Sequence, residues 1–368
     1  MNYYIIPKNN NIVKIMLKLT NEKIIPYLSY SLIFYLNELY EQISKLNNES
    51  EEMSIEYVNN IVNPFQFIHT NVPGSIFSVS KVKPDAHIFF ELMEVFQLCN
   101  INDILSLKHK INIIHLSPNH SSTNYLLNML REENNDSIVC EDFDYKRLRE
   151  LFITNKFLHN LDLIICEFKA EDYSDTKKYI NNMILTLIIV LNYQMNEGTF
   201  IIKIDNIFYK VIVDILYILS SLYDKMYLFK PSISNITTSE RYIICKSFNI
   251  ERRMIIGELN ELINYINIDN NNMGIESLIC NEIPYYFLNK IEESNIIIGQ
   301  QQLDAFDQII NIFKNKNREE KIDSLKRLHI QKCIQWCEKN QLPHNKFVDK
   351  INIFLAPKKK DSEEELNF

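Results

Sequence analysis

Between Thr199 and Ile204 the chain reads Thr-Phe-Ile-Ile-Lys-Ile, an apolar run interrupted by a single cation, Lys203. Such a run suits a strand buried on both faces of a parallel sheet. An unpaired ammonium inside that sheet is costly. Lys203 therefore has to point out at the strand's carboxyl end or meet a partner there. The carboxyl ends of strands are also where open α/β sheets place their ligands. Downstream, Ser239 and Glu240 precede a second strand-like run, Tyr242 to Cys245. A carboxylate at that edge can pair with Lys203 and tune its proton affinity.

The pattern around this block alternates. Strands are expected at Ile111–Leu116, Ser137–Cys140, Leu161–Cys166, Thr199–Ile204, Met226–Phe229 and Arg241–Cys245. Helices are expected at Ala86–Leu98, Thr123–Arg131, Tyr145–Asn155, Lys177–Gln194 and Lys210–Leu222. Strands alternating with helices argue a parallel or mixed doubly wound sheet. From Ile250 the alternation stops. Glu251–Ile268, Tyr285–Glu293, Gln300–Lys314 and Lys321–Asn340 read as helices. The expected division is a helical N-terminal extension over 1–62, a core over 63–249, a helical C-terminal region over 250–356 and a charged, disordered tail over 357–368.

Gly198-Thr-Phe-x-x-Lys203-Ile, followed by Lys230-Pro-x-x-Ser234 and Ser239-Glu-x-Tyr-x-x-Cys245, resembles the second half of the FtsJ-like RNA ribose 2′-O-methyltransferases. More narrowly it resembles the members of that family found in large nucleocytoplasmic DNA viruses. The resemblance covers roughly Asn63 to Phe248. It implies a Rossmann-like methyltransferase core, with S-adenosylmethionine as cofactor and RNA as partner. It also implies a Lys-Asp-Lys-Glu tetrad acting on a ribose hydroxyl.

The third and fourth members of that tetrad fall on Lys203 and Glu240. The second falls on Glu167, which closes Asp162-Leu-Ile-Ile-Cys-Glu167 and is one methylene longer than aspartate. The first aligns with Glu91 in FFELMEV, with Lys81 or Lys83 as the alternative source of an amine. Three carboxylates around Lys203 would raise its pKa rather than free its lone pair.

The cofactor loop, Gly-x-x-Pro-Gly-Gly in the family, corresponds to Leu116-Ser117-Pro118-Asn119-His120-Ser121-Ser122. The proline is kept and the glycines are absent. Glycine permits left-handed backbone and close approach to a nucleoside. Without it the loop reads equally as a strand-to-helix turn with Ser121 or Ser122 near the N-cap. The strand that would hold the cofactor ribose reads as shortened or missing. Asp142 is placed to meet an adenine amine or to cap the next helix. Lys230, Pro231, Ser232 and Ser234 mark an RNA-facing loop by resemblance, or a solvated turn. Lys326, Arg327 and Lys332 beside Trp336 form a basic helix face.

Composition weighs on function. Only 5 of 368 residues are glycine, against an average near 7%, which disfavours a glycine-cradled nucleotide. The net charge of −8 lacks the basic footprint of a dedicated RNA binder. The scattered cysteines, with no Cys-x-x-Cys pair, read as reduced thiols of an intracellular protein without a metal site. No apolar run reaches the ~18 residues of a membrane span, and the first residues do not read as a signal peptide. The expected function is a degenerate, non-catalytic or weakly catalytic methyltransferase-fold module, partnered by RNA or a viral protein in host cytoplasm or virion. The alternative is an active S-adenosylmethionine-dependent RNA cap 2′-O-methyltransferase.

Overall fold

The computed structural model describes residues 2–11, 13–49, 53–101, 110–131, 136–144, 146–148, 150, 160–255, 262, 274–314, 319–345 and 347. Two compact units appear. One comprises Met1–Gln42 with Pro84–Asp307, the other Ile43–Lys83 with Gln308–Phe368.

In chain order the elements are β1 (Asn2–Ile6), β2 (Lys18–Thr20), α1 (Tyr30–Glu49), α2 (Ile55–Val62), α3 (Ile88–Leu98), β3 (Asn112–Leu116) and α4 (His120–Leu130). They continue with β4 (Ser137–Glu141), β5 (Leu161–Glu167), α5 (Thr176–Tyr193), β6 (Gln194–Ile204), α6 (Lys210–Leu222), β7 (Tyr223–Lys230) and β8 (Arg241–Phe248). Last come α7 (Ile250–Ile255), β9 (Gly274–Ser277), α8 (Tyr285–Lys314) and α9 (Glu319–Lys339).

The first unit is built on a seven-stranded mixed sheet in the order β1-β7-β8-β6-β5-β3-β4. Strands β4, β3, β5 and β6 run parallel. β8 is antiparallel to both β6 and β7, and β1 is antiparallel to β7. This is an α/β, Rossmann-like architecture. From β3 the chain goes to β4 on one side and then to β5 on the other. The crevice where that direction reverses opens at the carboxyl ends of β3 and β5. Ser117 and Glu167 sit there.

Side-chain alternation divides the sheet. Ile114, Leu116, Ile164, Cys166, Phe200, Ile202 and Ile204 join the core beneath α5 and α6. Residues of the other parity, including Lys203, face the side of α3, whose Glu91 meets that lysine. Every residue of α3 from Ile88 to Phe96 is buried. A helix buried all round suits its apolar composition, but it carries two acids, Glu91 and Glu94, that require partners.

Gly198 has a definite role. A Cβ there would lie 2.8 Å from the Met195 carbonyl oxygen. The pairing of β5 with β6 shifts register beside it, and Glu197 adopts φ 62°. Glycine admits this bulge before the buried part of β6 begins.

Several expectations are corrected. The N-terminal segment is not wholly helical: β1 adds an edge strand to the core sheet, and β2 pairs with β9. Short strands whose partners lie far along the chain leave little periodic signal. The two helices expected at Tyr285–Glu293 and Gln300–Lys314 are one, α8. Gly299 interrupts the pattern because it packs closely on Leu32, where a Cβ would fall 2.4 Å from Cδ2. β4, five residues long, pairs in parallel directly with β3 at the edge of the sheet. Most of Tyr145–Asn155, the latter part of Glu251–Ile268 and the tail 357–368 lie outside the described residues.

In the second unit α9 packs against α2 and the turn Gln66–Ile68. Trp336, Cys333 and Cys337 are buried on it. The Lys326 ammonium meets the Tyr57 hydroxyl at 3.4 Å and Asp323 at 3.8 Å.

Candidate active site

Four charged side chains converge at the carboxyl edge of the sheet. The Lys203 ammonium lies 3.0 Å from Glu91 Oε2, 3.5 Å from Glu240 Oε2 and 3.7 Å from Glu167 Oε1. Lys203, Glu91 and Glu167 are all buried. Glu240 is the most open member, with its side chain 25% exposed. Each arrives on a different element. Glu91 stands in the first turn of α3, Glu167 ends β5, Lys203 is next to last in β6, and Glu240 precedes β8. The register pairs Lys203 with Glu167 on one side and with Tyr242 on the other.

Further hydrogen bonds fix the carboxylates. The Tyr242 hydroxyl donates to Glu91 Oε2 at 2.6 Å, and His87 Nδ1 lies 3.7 Å from Oε1. Ser117 Oγ and Asn119 Nδ2 both donate to Glu167 Oε2, at 2.6 and 3.2 Å. Tyr242 was not singled out as a site residue, although the Ser-Glu-x-Tyr motif contains it.

Burial by itself disfavours the Lys203 ammonium. Glu91, Glu240 and Glu167 outweigh that cost and hold its pKa well above the ordinary lysine value. Burial also opposes the Glu91 carboxylate, but Lys203, His87 and Tyr242 reverse the balance and hold it well below the usual range. Glu167 differs: burial raises its pKa, and Lys203 with its two hydroxyl and amide donors only partly offsets this. A general base near neutral pH needs a free lone pair. The strongest cation in this site is instead held protonated.

The loop Ser117–Ser122 closes onto this cluster. Ser117 Oγ accepts from the Asn119 amide at 2.9 Å while donating to Glu167. Asn119 occupies the cap position of α4 with φ −112° and makes no side-chain cap bond. Neither Ser121 nor Ser122 is the cap. Ser122 Oγ instead accepts from the Ala86 amide at 2.7 Å. No residue of the loop has positive φ, so the turn is made without the backbone that glycine supplies. Two of its polar side chains, Ser117 and Asn119, turn onto Glu167 rather than leaving a bare backbone cradle. The loop therefore does not fit the cofactor's close approach in the manner of a glycine-rich one.

Asp142 is exposed, and His120 Nδ1 lies 3.7 Å from its Oδ1. The following turn is capped by Asp144, whose Oδ1 accepts from the Arg147 amide at 2.9 Å. The loop after β7 is neither a solvated turn nor an open phosphate contact at its lysine. Lys230 is buried, and its ammonium donates to the carbonyls of Thr238 at 2.6 Å and Glu240 at 3.2 Å. Burial and the nearby Arg241 bring its pKa down to about 7. Ser232 donates through its amide to Glu94 Oε2 at 2.6 Å, and its hydroxyl also bonds that carboxylate. Lys83, weighed as a source of the first amine, lies 5.9 Å from the centre of the Phe77 ring. The group beside Lys203 is Glu91.

No protein-family model matches the chain. It is 31% identical over 139 residues to a cap-specific mRNA (nucleoside-2′-O-)-methyltransferase 1 of Dictyostelium discoideum, covering 38% of this chain and 18% of that protein. Over part of its length the chain is thus similar to RNA 2′-O-methyltransferases. It spans only about a fifth of the length of the cap-specific proteins it matches. It is also 26% identical over 221 residues to an uncharacterized protein of Acanthamoeba polyphaga mimivirus, covering 57% of this chain and 56% of that one. A solved structure described as a ribosomal RNA methyltransferase of Plasmodium falciparum aligns with a TM-score of 0.31 and 15% identity, over 44% of this chain and 97% of that one. Among the described residues no helix is long and apolar enough to cross a membrane.

Proposed function

We propose that this chain is a non-catalytic or weakly catalytic methyltransferase-fold protein that serves as an interaction or structural module. The observation that carries this reading is Glu91, 3.0 Å from the Lys203 ammonium, in the place where the resemblance puts a lysine. A lysine there would push a proton off Lys203, whereas a carboxylate holds it on. The side chains of Ser117 and Asn119, committed to Glu167, add a second obstacle at the cofactor loop. RNA or a viral protein is the proposed partner, in host cytoplasm or virion.

One observation favours the alternative of an active RNA cap 2′-O-methyltransferase. Lys203 and Glu240 sit 3.5 Å apart at the carboxyl edge of the sheet, as a working site would need. Titration calorimetry with S-adenosylmethionine separates the two. The proposed module shows no saturable heat at millimolar cofactor. Micromolar binding that is lost on Asn119→Arg, which fills the loop, would favour the enzyme.

A further inference from the structure

Glu240 is held from both sides by residues far from it in sequence. Arg241, next to it, is 1% exposed. A buried guanidinium needs every donor satisfied. Its Nε donates to the Ser239 carbonyl at 3.0 Å, and its Nη1 donates to Asn295 Oδ1 at 2.8 Å and Ser294 Oγ at 3.3 Å. Asn295, fully buried on α8, is anchored in turn. Its Nδ2 donates to the Ile207 carbonyl and to Ser29 Oγ, both at 3.2 Å. One helical turn pair further on, Gln302 Nε2 donates to the Thr237 carbonyl at 2.9 Å. The segment carrying Glu240 thus bonds to α8 just before and just after that carboxylate.

We propose that α8 is a latch that positions Glu240 against Lys203, with Asn295 and Gln302 as its two positioning residues. Asn295 acts through Arg241, and Gln302 acts through the backbone at Thr237. Neither touches the ion cluster itself. Both lie outside the stretch, roughly Asn63 to Phe248, over which the chain resembles the methyltransferase family. With both bonds released, the segment keeps as tethers the Lys230 ammonium on its carbonyls and the Ser239 hydroxyl on Asp205, besides the Lys203–Glu240 contact itself. The latch holds whether or not the chain transfers methyl groups, so its test uses no cofactor and no RNA.

The experiment follows the Lys203 ammonium by NMR in the full chain labelled with ¹⁵N-lysine, the signal being assigned by its loss in Lys203→Arg. A buried, ion-paired ammonium exchanges its protons slowly. The expected result is a hydrogen-exchange rate at least tenfold faster in Asn295→Ala/Gln302→Ala. Glu293→Gln, on the exposed face of α8, leaves the rate unchanged. Should the double variant fail to fold, Gln302→Ala alone is expected to accelerate exchange severalfold. A folded latch variant with the native rate overturns the proposal. So does equal acceleration by Glu293→Gln, which would mark a general loosening of the helix.

Discussion

Glu91 and Lys203 form the tightest contact of the ion cluster, at 3.0 Å, and the Tyr242 hydroxyl bonds the same carboxylate oxygen at 2.6 Å. The pair joins α3 to the centre of the sheet. Desolvating both groups is costly, and the contact offsets that cost only while both partners remain.

Removing the cation should therefore hurt more than removing one anion. Lys203→Met leaves two buried carboxylates, Glu91 and Glu167, facing each other beside the half-buried Glu240 and should lower stability by about 3–5 kcal/mol. Glu91→Gln leaves Lys203 two carboxylates and keeps an acceptor for Tyr242, so it should cost about 1–3 kcal/mol. Urea unfolding measures both. Equal losses for the two variants would contradict the central place of Lys203.

His115 makes a separate prediction. It lies on β3, fully buried, and neither ring nitrogen has a partner. Burial, with His120 nearby, pulls its pKa from 6.5 to about 3. The unfolded chain then binds the proton more readily. The stability contributed by neutral His115 is complete above pH 6.5 and is lost as pH falls from there toward 3. This one group adds a slope approaching about 1.4 kcal/mol per pH unit across that window. His115→Leu should remove that part of the acid sensitivity. Parallel melting-temperature profiles from pH 7 to pH 4 for the two proteins would count against this account.

Gly198→Ala should destabilise the chain by about 1–3 kcal/mol. The added Cβ meets the Met195 carbonyl, which is backbone and cannot swing aside, as well as the Gln194 side chain. Gln194→Ala/Gly198→Ala relieves only the side-chain clash and should recover little of the loss. Thermal melts of the single and double variants check this; full recovery would locate the clash in Gln194 alone.

The parts of this molecule that could be read from the chain were those with local signal. The parallel strands announced themselves as buried apolar runs between helices. Lys203 stood out because a cation in such a run has to find an acid, and Glu240 lay in the motif beside the next strand. What escaped depended on partners far away in sequence. β1 pairs with β7 across most of the core, and nothing near Tyr3 or Ile5 signals it. Arg241 looked like an ordinary strand residue until α8 supplied Asn295. Lys230 looked solvated because its acceptors are backbone carbonyls, which carry no side-chain signature. The gap expected between Glu293 and Gln300 is helical, and the close approach of Gly299 to Leu32 within it is invisible in one dimension.

The central claim is that a lysine held protonated by three carboxylates does not drive methyl transfer. The direct measurement is incorporation of radiolabelled methyl groups from S-adenosylmethionine into capped RNA, comparing the native chain with Lys203→Ala. The account predicts the same background in both, since general-base help worth about 10²–10⁴-fold is absent from the native site already. Robust incorporation by the native chain that disappears in Lys203→Ala would contradict it.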